Sequence, residues 1–451
     1  MITTASTGTD SYLTAIGDLE SRMNGRAPLH ALRSAARERF EDLGFPTTRN
    51  EEWKYTNATP IARTKFALAA GPADSDLARS AFEAARVRLF GEMDSPLLVF
   101  VNGHYSEPLS TPGSPEAGFT VGGLSAALER DPSFIEARIG RLATSDDQGF
   151  SALNTALFQD GAFIHVARGR VIEAPVRILY LSLALSEPTM SHPRTLIVAD
   201  EHSQLTVVES YAVFGDGPCF TNAVTEVFVD DAAVVDHYKI QQDQASSYHI
   251  ASLLIRQGQS TNFSSHSVGM GGAIVRNGVR ALLDGEGSES HLNGLYLAGG
   301  HQHVDNHTAI DHARPNCNSR EIYHGILDGS STGVFNGKIF VRQDAQKTDA
   351  RQTNRNLLLS NSAVIDTKPQ LEIFADDVKC THGATVGQLD EEAIFYLRTR
   401  GIPRAEAASL LTYAFASEIV DRVRPKAIRE RLGESVRSWL AGAEGMQGKR
   451  E

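Results

Sequence analysis

Between about residues 97 and 380 the chain offers almost nothing that reads as a helix. Short β-rich runs follow one another instead: LLVFVNG, VRILYLSL, RTLIVAD, QLTVVESYAVFG, AVTEVFVDDAAVVDHYKI, YHIASLLIR, GVRALLDG and HLNGLYLAGG. Gly, Asn and Asp punctuate them at short intervals, as turn residues do. Strands without helical crossovers leave a sandwich, a barrel or a β-solenoid. The stretch is large for one sandwich, and its dense turn signals suit a coiled stack of rungs. No fixed repeat length is legible in it.

The flanks have a different texture. Leu29, Leu32, Ala36, Phe40 and Leu43 recur at three- and four-residue steps, and Gly44 follows as a stop. A polar loop, FPTTRNEEWKYTN, separates this helix from a second amphipathic run, DLARSAFEAARVRLF. Trp53 and Tyr55 in that loop either mark a partner surface or pin the loop to its own domain. At the far end Asp390 is placed to cap a helix containing Glu391 and Glu392, Gly401 to end it, and Pro403 and Pro425 to open two more. The resulting division is a helical region over 1–93, a β core over 94–388 and a helical domain over 389–451. In the last of these, Leu410, Leu411, Ala414, Phe415, Ile419 and Val423 crowd one side of a helix. That face either docks a partner or packs back on the core.

The net charge of −12 argues against nucleic acid or an anionic membrane as principal partner. No run approaches the roughly 18 apolar residues of a membrane span, and MITTASTGTDSYL lacks the basic and apolar regions of a secretory signal. Three cysteines without a CxxC pair suit a reducing cytoplasm better than a disulfide framework. In GVFNGKIF, Ile339 stands where a phosphate-binding loop needs Ser or Thr, and GxSxG, HExxH and EF-hand patterns are absent.

Two clusters carry candidate chemistry. In HQHVDNHTAIDH an extended strand places His301, His303, Asp305 and His307 on one face. These are ligand types for zinc or iron, so a metal-dependent enzyme on a β-solenoid or cupin-like fold using the 301–312 histidines is one reading. A row of polar or hydrogen-bonded histidines on a sheet is the other. In VKCTHGATVG, Cys380 and His382 likewise share a face. They form a thiol with an acidifying imidazole, half of a four-ligand metal site, or a buried structural thiol beside an unrelated histidine. Cys317 reads as an interior rung residue and Cys219 as a loop thiol.

GFPTTRNEEWKYT, HVDNHTAIDH, GVFNGKIFVRQDAQKTDARQTNRNLLLS and KPQLEIFADDVKCTHGATVGQLDEEAIFYLRTRGI together resemble the SufB/SufD family of SUF iron–sulfur cluster assembly proteins, on its SufD side. The likeness covers most of the chain and is most specific from Gly333 to Ile402. It implies a right-handed parallel β-helix core flanked by N- and C-terminal helical regions. The implied function is that of a non-enzymatic cytoplasmic scaffold subunit. The implied partners are SufB, β-helix to β-helix, and the SufC ATPase on the C-terminal helices, where Leu410, Leu411, Phe415 and Ile419 are candidate contacts. By motif, the family's interface histidine falls on His382 and its neighbouring cysteine on Cys380. They would face a nascent, transient iron–sulfur cluster or iron at the interface between subunits. The isolated chain is then expected to hold no stable cluster and to form a homodimer.

Overall fold

The computed structural model describes residues 8–23, 29–71, 75–91, 93–113, 117–144 and 149–447. Residues 1–7, on which the reading of the N-terminus partly rests, lie outside them, as do 448–451. Strands take 40% of the chain and helices 28%, so the class is mainly β.

Strands Cys219–Val229, Tyr248–Gln257, Ile274–Leu283, His303–His312, Thr332–Val341 and Val364–Ile373 pair in parallel, in that order, within one sheet. The strands between them in sequence form a second sheet in the same manner. They are Gln204–Phe214, Val234–Gln242, Asn262–Met270, Glu289–Ala298, Asn318–Leu327, Asp349–Leu358 and Lys379–Gly387. The chain thus alternates between two facing sheets and winds as a parallel β-solenoid of about 8 turns. Paired residues in neighbouring rungs lie as close in sequence as Tyr248 and Ile274 and as far apart as Thr332 and Val364. This drift, absorbed in the turns, is why no repeat length is legible.

The interior changes character along the axis. Toward the N-terminal end Leu98, Phe100, Ile164, Ile178, Val207 and Phe263 fill it, all fully buried. The C-terminal rungs instead hold Glu321, Gln352, Asn354 and Asn356, all buried. Tyr296 and Thr367 donate to Asn356 and Asn354 at 2.6 and 2.9 Å, and Asn356 donates to Asn354 at 2.6 Å. Buried polar groups are tolerable when paired in this way, and such an interior can end against water or another polar surface without a hydrophobic cap.

Helices cover the outer faces. Ala78, Phe82 and Leu89 of helix Ser75–Phe90 pack with Leu179, Val208 and Leu181 of the second sheet. Ile419 and Val420 of helix Arg404–Val420, and Ile428, Leu432 and Val436 of helix Lys426–Gln447, join the same cluster. The C-terminal helices therefore do pack back on the core. Tyr12, Ile16 and Phe40 of helices Asp10–Arg22 and His30–Leu43 cover Phe220 and Ile250 of the first sheet. Gly44 ends the second of these with φ 58°, as its position suggested. Three helices stand where the sequence shows only β texture: Leu124–Arg130, Pro132–Glu136 and Gly149–Leu157. The first two are too short to develop a period, and the third is buried on every side, its short polar stripe of Ser151, Asn154 and Thr155 facing the interior and not water.

Candidate functional site

At the C-terminal end of the solenoid each sheet stops at a strand with a neighbour on one side only. Val364–Ile373 pairs with Thr332–Val341, and Lys379–Gly387 with Asp349–Leu358. At the N-terminal end the antiparallel strands His104–Tyr105 and Phe119–Gly123 flank the last parallel ones. An unpaired strand edge is a template for a second chain. Around this one Val364, Ile373, Phe374 and Val386 are each at least 40% exposed.

Cys380 and His382 lie on that last strand, and register places them opposite Ala350 and Gln352 of the preceding one. Since Ala350 and Gln352 are fully buried in the interior, Cys380 and His382 continue two inward-facing columns on a rung with nothing over it. Cys380 is half-buried against the cluster of Ile339, Val341, Ala345 and Ala350, whereas His382 is exposed. Burial pushes the Cys380 thiol up, and Asp349 adds to the effect. The acidified thiol that a neighbouring histidine suggested is therefore not present in the single chain. Among the described residues no three His, Cys, Asp or Glu side chains converge where they could hold a metal ion. Alone, the pair is at most half of a ligand set.

Beneath His382 the column continues through Gln352 to Glu321. Gln352 Nε2 donates to Glu321 Oε2 at 2.6 Å, and burial pushes the Glu321 carboxyl up to about 7. Gln352 Oε1 and Glu321 Oε1 are buried without hydrogen-bond partners. Sequence reasoning missed this column because its members are about thirty positions apart and meet only through the rung register.

The histidine-rich strand has another role. His303, Asp305 and His307 do share its outer face, but His301 sits in the preceding turn, exposed, and leaves the group. Asp305 is buried and accepts from Arg276 and from the Thr56 hydroxyl, while His307 Nε2 faces its Oδ1 at 3.1 Å. Thr56 also bonds His303 at 2.8 Å, and Glu52 meets His307 at 3.3 Å. Burial works to raise the Asp305 carboxyl, but Arg276, His307 and Thr56 together outweigh it and hold the group well below the usual carboxylate range. Burial likewise pulls His307 down, and Asp305 and Glu52 outweigh it upward. Arg276 lies 4.0 Å over the Trp53 ring, which stacks on Phe150 at 5.1 Å. The cluster is the anchor of the N-terminal polar loop, and Trp53 pins that loop to its own domain.

The four candidate contacts on helix Arg404–Val420 divide. Leu410 is 47% exposed and Leu411 partly exposed. Phe415 stacks on His324 at 4.5 Å, and its carbonyl bonds the same ring at 3.1 Å, so it faces the solenoid. Ile419 is fully buried in the cluster that holds the helix down, which removes it from any free surface. The apolar groups left outward are Leu410 with Phe395 and Tyr396 of helix Glu391–Thr399, the last two 67% and 57% exposed. Of the other thiols, Cys317 is fully buried, as an interior residue should be. Cys219 is not a loop thiol: it opens a strand, is 2% exposed, and burial pushes it up to about 12.

With this geometry in view, the chain was compared with known proteins. Residues 182–415 match the family described as SUF system FeS cluster assembly, SufBD core domain, and residues 12–178 match the SufBD protein N-terminal region. An iron–sulfur cluster assembly SufBD family protein of Synechocystis is 32% identical over 412 residues, covering 90% of this chain and 89% of its own. The iron–sulfur cluster assembly protein SufD of Escherichia coli is 34% identical over 403 residues, covering 88% and 90%. SufD of Bacillus subtilis is 30% identical over 294 residues, covering 64% and 66%.

Proposed function

Because the chain belongs to the SufBD family of SUF iron–sulfur cluster assembly proteins, we propose that it is a non-enzymatic scaffold subunit whose open solenoid end builds half of a cluster-assembly site. One observation carries this reading. Cys380 and His382 stand in inward columns on a terminal rung whose strands lack an outer neighbour. A second β-helix adding its own edge would extend the sheets and supply the missing ligands. In the family that partner is SufB. Iron and sulfide are then cargo: His382 offers an imidazole nitrogen and Cys380 a thiol, which becomes a ligand on losing its proton. The same proposal makes the cluster transient, with none stably held by the isolated chain.

The outward set of Phe395, Tyr396 and Leu410 is the candidate docking surface for the SufC ATPase, which would supply the nucleotide hydrolysis for which this chain has no phosphate-binding loop. Alone, the free strand edges favour a homodimer. Three free cysteines suit a reducing cytoplasm, and among the described residues no helix is long and apolar enough to cross a membrane.

The test is anaerobic co-purification with the SufB and SufC partners, read by ultraviolet–visible absorption and by iron and sulfide content. A coloured complex containing both elements is expected. A complex that never acquires iron, or a chain that never joins one, rejects the reading.

A further inference from the structure

We infer that Pro369 decides how the open end takes a second chain: it spoils one free strand edge, so a partner strand pairs on the other, Lys379–Gly387. In a parallel ladder a residue sends its N–H and its C=O to the same neighbouring strand, and the next residue sends both to the other side. In strand Val364–Ile373, Val364 donates to the Ser331 carbonyl at 3.0 Å. Phe374, just past its end, donates to the Val341 carbonyl at 2.9 Å. The even-numbered residues of this strand therefore face the rung beneath, and Ile365, Thr367, Pro369, Leu371 and Ile373 face outward. Proline has no N–H. At 369 its loss costs the rung nothing and leaves a gap in the middle of the free edge.

In strand Lys379–Gly387, Lys379 donates to the Thr348 carbonyl at 2.8 Å. Here the odd-numbered residues face the rung beneath, and Cys380, His382, Ala384 and Val386 present an unbroken row of N–H and C=O groups outward. None of these backbone groups has a partner among the described residues. Proline on an edge strand is a guard against pairing, and this end guards one edge while leaving the other bare. The occupant the bare edge fits is the matching edge of a second copy of this chain, met about a two-fold axis. Two stacked solenoids can meet in this way with each edge against its own counterpart, or with the two edges crossed. Crossing puts a Pro369 in both new ladders. Like against like confines both prolines to one ladder and keeps the other whole, so the uncrossed arrangement follows. It also continues the inward columns of Cys380 and His382 into those of the second chain within a single sheet.

This inference rests on the proposed function only in having a second solenoid meet this end, and its test reads no iron, so either can fail without the other. Hydrogen exchange of the full-length chain, resolved to single residues by fragmentation, is compared at concentrations below and above self-association. The amides of Cys380, His382, Ala384 and Val386 should become protected on association, and those of Ile365, Thr367, Leu371 and Ile373 should not. The same protection is expected in the complex co-purified with the partner subunits. Ala384→Pro removes an outward donor without touching a bond to the rung beneath, and should weaken self-association about 10-fold. Pro369→Thr restores a donor to the guarded edge. It should tighten self-association by about the same factor and spread protection to Ile365, Thr367, Leu371 and Ile373. Equal protection of both edges in the wild type, or an affinity unchanged in Pro369→Thr, overturns the inference. So does a chain whose Lys379–Gly387 amides gain no protection either alone at high concentration or in the complex.

Discussion

Replacing Asp305 by Ala should release the N-terminal polar loop from the solenoid. The Arg276 side chain is only 8% exposed and Asp305 is its charged partner, so truncation leaves a buried guanidinium uncompensated. Breaking a buried pair in this way costs about 3–5 kcal/mol. The same change removes the acceptor for the Thr56 hydroxyl and the charge that faces His307. Most of the loss should fall on the loop, because Arg276 also donates to the Glu52 carbonyl at 2.8 Å and lies over Trp53. Trp53 is one of only two tryptophans, so a W439F background makes its fluorescence a local reporter. In urea, the Trp53 transition of D305A is expected to shift by that amount. The double variant R276M/D305L, which buries no lone charge, should recover more than half of it. A loss below about 1 kcal/mol, or single losses that simply add, would refute the anchor and reopen a metal-binding role for this face.

Other outcomes separate core from surface. Ile419→Ala should cost about 2–5 kcal/mol in thermal or urea unfolding. Leu410→Ala and Phe395→Ala should stay within about 0.5 kcal/mol yet reduce ATPase retention in a pull-down. Gly337→Ala should cost about 1–3 kcal/mol through overpacking against Gln352, measured by the same unfolding. Acid should destabilise the fold through buried neutral histidines: burial pulls His192 down to about 3 and His266 and His312 to about 4. The unfolded chain takes up their protons below about pH 6.5 while the fold refuses them. The stability carried by these three falls by up to about 4 kcal/mol per pH unit near pH 5, of which Glu321, held up to about 7 and protonated first in the fold, offsets about 1. His307, held high, is protonated in both states there and does not offset this; its contribution fades only as pH rises above that range. A urea midpoint flat from neutral to pH 5 would contradict it.

The sequence makes the β core and the terminal helices legible because each has a local signal. Asp390 does cap its helix, accepting from the Glu392 amide at 2.9 Å, and Pro403 and Pro425 do open the next two. Cys380 and His382 are legible as a same-face pair because strand alternation is local. Their place at an uncovered rung is not, since it depends on which strand lacks a neighbour. The Glu321–Gln352–His382 column is invisible for the same reason, as rung spacing varies and no motif links such distant positions. Ile419 misleads because a helical stripe records which side is apolar, not whether that side meets the core or a partner. The exposed Phe395 and Tyr396 sit on a short helix where Ile394 alone is buried, so periodicity gives them no mark.

The most direct test of a site shared between subunits is the iron and sulfide content of the anaerobically purified three-subunit complex carrying His382→Ala. The complex should assemble in normal yield, because His382 is exposed and supports no packing, while iron and sulfide fall several-fold below the wild type. Normal iron and sulfide in an intact H382A complex would contradict a cluster-facing role for the open end of this solenoid.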